Sequence, residues 1–112
     1  MNIVFIGTTS FGLKCLEECT KIKELKVKGI LTGRKDFRIS YSKKPVRNFL
    51  YSNFYNFAES QEIPITYLKD SMNDKYLFNL VKEWEPQAFL VVGWYHMIPK
   101  NWREFAPAYG LH

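Results

Sequence analysis

The stretch Ala88-Phe-Leu-Val-Val-Gly-Trp-Tyr-His-Met-Ile-Pro-Lys100 decides the fold. Its first five residues are an unbroken apolar run, the composition of a strand buried on both faces, as in a parallel sheet. Gly93 ends the run, so Trp94, Tyr95, His96, Met97 and Ile98 leave at the strand's C-terminal end, where open α/β sheets bind their ligands. A short segment, Ala108-Tyr-Gly-Leu-His112, is expected to lie alongside and bring the His112 imidazole to the same edge.

Working outward, Asn2 to Ile6 is a compact strand broken by Gly7, and Phe11, Cys15, Leu16 and Cys19 recur at helical spacing over 11–20. Leu25 to Thr32 reads as a second strand, with Leu25, Val27, Gly29 and Leu31 alternating against Lys26, Lys28 and Ile30. Residues 34–52 lack a period and read as a long loop. Helical character resumes over 53–61, and Ile63 to Tyr67 forms a third strand whose early proline suits a sheet edge. Ser71-Met-Asn-Asp74 resembles an N-cap with an acidic residue three later, opening a helix in which Leu77, Leu80, Val81 and Trp84 share a face. Strands alternating with helices imply a Rossmann-like three-layer α/β sandwich with a mostly parallel sheet of order 3-2-1-4 and the final segment beside strand four.

The 112 residues suffice for one domain, spanning 1–112, yet are few for a complete α/β enzyme, so the sandwich is expected to be incomplete. A formal charge of +5 favours phosphate-bearing partners at long range, although the basic residues read as dispersed. Cys15 and Cys19 share a helix face without a second Cys/His pair, so no metal site is expected and both read as reduced core thiols. No apolar run reaches the roughly 20 residues that span a bilayer, and a cytoplasmic, membrane-free protein is expected.

Each candidate motif has a structural reading beside its functional one. Gly7-Thr-Thr-Ser-Phe-Gly12 links strand to helix; its Thr8, Thr9 and Ser10 hydroxyls either cap a tight turn or face a ligand. It lacks the spacing of a dinucleotide fingerprint or a P-loop. Trp94 to Met97 either cap the sheet or stack on a flat heteroaromatic ligand. His112 has no partner assignable from spacing, which leaves a structural and a catalytic role both open.

These residues resemble the N-terminal catalytic domain of the folate-dependent formyltransferases, a family acting on methionyl-tRNA, glycinamide ribonucleotide and nucleotide-linked amino sugars. Met1-Asn-Ile-Val-Phe-Ile-Gly-Thr8 looks like the family's opening strand, Ile63-Pro-Ile65 like its turn into strand three, and Trp84 through Lys100 like the stretch before its catalytic strand. The resemblance implies that Trp94, Tyr95, His96, Met97 and Ile98 wrap the pterin of 10-formyltetrahydrofolate, partly through the main chain. It implies that Thr8, Thr9, Ser10 and Phe11 face the formyl acceptor. His112 matches the histidine of an Asn-x-His signature whose asparagine is Gly110 here. The family's Ser-Leu-Leu-Pro loop and aspartate would lie beyond His112, so this stretch alone is expected to be inactive. Ile39-Ser-Tyr-Ser-Lys-Lys-Pro45 and Gly93-Trp-Tyr-His96 favour an amino-sugar acceptor over charged tRNA. The alternative from another class is a non-catalytic nucleotide- or ligand-binding module on the same sheet edge. Oligomeric state is not legible, beyond an exposed edge at the last strand that would invite self-association.

Overall fold

The computed structural model describes residues 1–33, 53–111 and two short strands between them. In chain order the elements are β1 (Asn2–Ile6), α1 (Ser10–Lys21), β2 (Lys26–Thr32), β3 (Asp36–Phe37), β4 (Val46–Arg47), α2 (Tyr55–Ser60), β5 (Ile65–Tyr67), α3 (Lys75–Glu83), β6 (Ala88–Val92), α4 (Lys100–Phe105) and β7 (Ala108–Leu111). Five strands form one sheet in the order β5-β2-β1-β6-β7, every pair parallel. This is the expected 3-2-1-4 order with the last segment beside the fourth strand, and the proline-led β5 lies at the edge.

Two apolar layers cover the sheet because side chains alternate along its central strands. Val4, Ile6, Leu31 and Phe89 pack with Leu77 and Val81 of α3 and Trp102 of α4. Phe5, Ile30 and Val92 pack with Leu16 of α1 and with Phe54 and Ala58 at α2. Ile3 and Ala88 meet Cys19 of α1 on that same side. The product is a helix–sheet–helix sandwich whose central strands, β1 and β6, are hydrophobic on both faces.

Four local expectations are corrected and one element is added. Residues 25, 27, 29 and 31 do not share one face: Ile3 pairs with Val27 but Val4 pairs with Gly29, so Lys28 is an extra residue in a bulge. The bulge reverses the alternation. Val27 therefore packs toward α1, while Leu31 packs toward α3. Gly29 is needed there, since a Cβ on it would stand 2.1 Å from the Trp84 ring.

The α3 cap is Asp74 rather than Ser71: Asp74 accepts from the Tyr76 backbone N–H at 2.8 Å, while Ser71 Oγ closes a turn on Asn73 N–H. Leu80 lies outside the α3 core stripe and is exposed, whereas Leu77 and Val81 are buried. Within the expected long loop, β3 and β4 pair antiparallel. Finally, α4 escapes a periodicity search because six residues bury only Trp102. That one residue anchors it: the ring lies 5.4 Å from Phe78 and 5.6 Å from Phe89, and its Nε1 donates to the Met72 carbonyl at 3.1 Å.

Gly29→Ala is expected to destabilise the chain by about 1–3 kcal/mol through overpacking against Trp84. In a Trp84→Leu background the same substitution should cost much less. Urea unfolding of the four-member cycle checks this, and additive effects would disprove the Gly29–Trp84 clash.

Candidate functional site

Successive strands run outward from β1 through β2 to β5, and then from β6 to β7 on the other side. The chain thus reverses direction between β1 and β6, and crevices at such reversals are the usual ligand sites of open parallel sheets. Two connections leave the sheet there: the β1–α1 turn, 7–9, and the loop after β6, 93–99.

They are held together by backbone. Thr8 N–H donates to the Gly93 carbonyl at 3.2 Å. A Cβ on Gly7 would stand 2.2 Å from the Val92 carbonyl oxygen, and one on Gly93 would stand 2.1 Å from Thr9 Oγ1. Gly93 also has φ +64°, a left-handed conformation that costs glycine little and other residues more. It turns the chain sharply off β6.

Beyond that turn the loop alternates. Trp94, His96 and Ile98 are half-buried, whereas Tyr95 is 47% and Met97 89% exposed. Trp94 and Ile98 pack onto the α3–α4 layer. The Trp94 and His96 rings are 5.2 Å apart at 59°, and Trp94 Nε1 donates to Met72 Sδ at 3.3 Å. Burial lowers the His96 pKa below its ordinary 6.5, favouring a neutral imidazole. Neither the Met97 nor the Ile98 N–H donates to another backbone carbonyl among the described residues.

The four residues of the β1–α1 turn divide. Thr9 Oγ1 accepts from Gly12 N–H at 3.1 Å and is the α1 N-cap, a structural use of that hydroxyl. Thr8 is 3% exposed, and its Oγ1 has no hydrogen-bond partner among the described residues. A buried hydroxyl left so is costly unless something else meets it. It lies beside Gly33 together with Cζ3 of Trp94. Ser10 and Phe11 are exposed on the first turn of α1. Thr32, at the end of β2, carries a second buried hydroxyl without a partner among the described residues, one that the sequence did not single out.

Trp94, Thr8 and Thr9 thus come together; Tyr95 and Met97 point away from the packed core. His112 and the 39–45 stretch lie outside the described residues. Leu111 ends β7, which runs parallel to β6 with Val92 opposite Leu111, so the backbone is directed to this edge at its last described residue. Elsewhere, Thr66, Tyr67, Lys69, Asp74, Tyr76, Leu77 and Leu80 line a shallow cleft beside α3.

Charge is less dispersed than expected once assigned to elements. Six of the sixteen basic residues and one of the eleven acidic ones fall within 34–47, so this β2–α2 connection carries the whole formal excess, and the remainder balances. It starts at the C-terminal end of β2, on the same sheet edge as Thr8 and Trp94. A count by connection rather than along the whole chain would have found it.

The cysteines are free thiols, and burial first, then Cys15 and Glu18, raise the Cys19 pKa. Among the described residues no group of three or more His, Cys, Asp or Glu side chains could hold a metal ion. No described helix is long and apolar enough to cross a membrane. No protein-family model matches the chain, and no curated protein matches it.

Because the folded His96 pKa is below the unfolded value, the unfolded chain takes up more protons below about pH 6.5, and stability should rise with pH through that window. NMR titration of the His96 ring should give a midpoint below 6.5. His96→Gln should remove this part of the pH dependence, and a midpoint at or above 6.5 would refute the assignment.

Proposed function

We propose that the chain belongs to an enzyme that transfers a formyl group from 10-formyltetrahydrofolate to a primary amine, that of a nucleotide-linked amino sugar. The observation that carries this is the aromatic loop at the strand reversal: a half-buried Trp94 ring, in contact with that of His96, near a buried Thr8 hydroxyl that has no partner among the described residues. Such a combination suits a flat, amphipathic, hydrogen-bonding ligand. A pterin would lay its planar body against the Trp94 ring and take its polar-edge hydrogen bonds from the main chain at Met97 and Ile98.

The donor supplies an activated formyl carbon when bound. Trp94, Tyr95, His96, Met97 and Ile98 would grip and orient it, and the Thr8 to Phe11 turn would face the incoming amine. His112, which follows the last residue of β7, would donate a hydrogen bond to the carbonyl oxygen as negative charge develops there. An imidazolium suits that role, and a carboxylate neighbour, such as the family's aspartate, would raise its pKa and help carry the proton from the attacking amine to the folate N10, whose bond to the formyl carbon breaks as the new amide bond forms. With glycine at 110, no side-chain amide assists from that position.

A diphosphate-bearing acceptor is favoured by the charge excess at 34–47, which would draw phosphate toward this edge. Charged initiator tRNA would be drawn by the same charge and is the second acceptor to test. The free thiols suit a reducing compartment, and we read the protein as cytoplasmic.

Titration with 10-formyltetrahydrofolate, followed by indole fluorescence, should show saturable binding that Trp94→Ala weakens about tenfold, the scale of a lost aromatic contact. Equal or tighter binding of a nucleotide without a pterin would favour the non-catalytic ligand-binding module instead. In an enzyme preparation that transfers formyl groups, His112→Asn should lower kcat by about 10²-fold or more and leave folate affinity within a few-fold. Unchanged turnover would make the histidine structural. Competing amino-sugar nucleotides against charged initiator tRNA identifies the acceptor, and formylation of the tRNA alone would reverse the choice.

A further inference from the structure

We infer that Met72 is a positioning residue for this site: its thioether takes the Trp94 indole N–H and so sets the ring plane offered to a bound pterin, an inference that rests on the folate assignment above. Met72 lies in the β5–α3 connection, 4% exposed, in the core layer with Leu68, Leu77 and Trp102. Its carbonyl accepts the Trp102 Nε1 at 3.1 Å, and its sulfur accepts the Trp94 Nε1 at 3.3 Å. One tryptophan thus fixes the Met72 backbone while the Met72 side chain fixes another tryptophan.

An indole has one donor and no acceptor. That single bond therefore decides which edge of Trp94 turns into the core. The Nε1 edge is held at Met72, and Cζ3 stands beside Gly33, near Thr8. Two separated points define how the ring lies, and the His96 ring meets it at 5.2 Å. A thioether is a weak, polarizable acceptor, so its contribution is to orientation more than to anchoring. Spacing in the sequence gives no reason to join residues 72 and 94; the sheet order brings them together.

The test uses the full 112-residue chain labelled with 5-fluorotryptophan, Trp94 being assigned with Trp94→Phe, and 10-formyltetrahydrofolate as the probe. Met72→Leu keeps an apolar side chain of similar size and removes the acceptor. It should shift the Trp94 fluorine resonance in the unliganded chain, leave that of Trp84 in place, and weaken folate binding about threefold to tenfold. Met72→Gln, which restores an acceptor, should recover most of both effects. A Trp94 resonance indifferent to Met72→Leu overturns the inference, as does unchanged folate affinity despite a shifted resonance. If the unsubstituted chain binds no folate while the resonance still shifts, the pterin assignment fails and the positioning contact stands. In the unsubstituted chain the Trp94 indole N–H should exchange slowly with solvent; exchange as fast as a free indole also overturns the inference.

Discussion

Everything at the C-terminal edge depends on how closely β1 and β6 approach. Gly7 faces the Val92 carbonyl at a distance where no side-chain carbon fits, and Gly93 faces Thr9 in the same way. At Gly7 the constraint is backbone against backbone, so no rotamer change relieves it, whereas at Gly93 it is the Thr9 side chain, held in place as the α1 cap, that leaves no room. With both glycines in place, the Thr8 N–H reaches the Gly93 carbonyl and the two connections become one surface. Glycine here is a spatial requirement of the crossing, and only at 93 a conformational one as well.

From that apposition the division of labour follows. Thr9 spends its hydroxyl on the α1 cap, so the neighbouring Thr8 is the hydroxyl left over. The left-handed turn at Gly93 sets the parity of the loop behind it, sending Trp94, His96 and Ile98 inward and Tyr95 and Met97 outward. Trp94 then reaches the β5–α3 connection, where Met72 is also the residue that receives Trp102 from α4. The site's aromatic wall is thus continuous with one of the two hydrophobic layers.

Much of the fold was legible because its signals are one-dimensional. The apolar runs at 2–6 and 88–92, the proline ahead of β5 and the alternation of strands with helices give the strand order without any knowledge of contacts. What escaped depends on partners distant in sequence. The bulge at Lys28 arises from how β2 meets β1, and α4 exists because Trp102 fills a space between Phe78 and Phe89. Whether a given hydroxyl caps a helix or stays unused was equally invisible, since Thr8 and Thr9 are chemically identical neighbours. For the site, the loop's location was legible and its inward–outward pattern was not; His112 lies past the described residues, and its role rests on the resemblance.

The order of pairings also carries a consequence in time. Asn2 meets Lys26 across a short stretch spanned by α1, whereas Ile3 must find Ala88 across most of the chain. Closing the larger loop costs more chain entropy, and parallel pairing offers no hairpin to shorten it. The β1–β2 unit can therefore assemble early, while the β1–β6 seam waits for the β6 half of the chain. Since the Thr8–Gly93 link sits on that seam, a nascent chain lacks the candidate site until its sheet is joined: completing the fold and bringing these two connections together are one event.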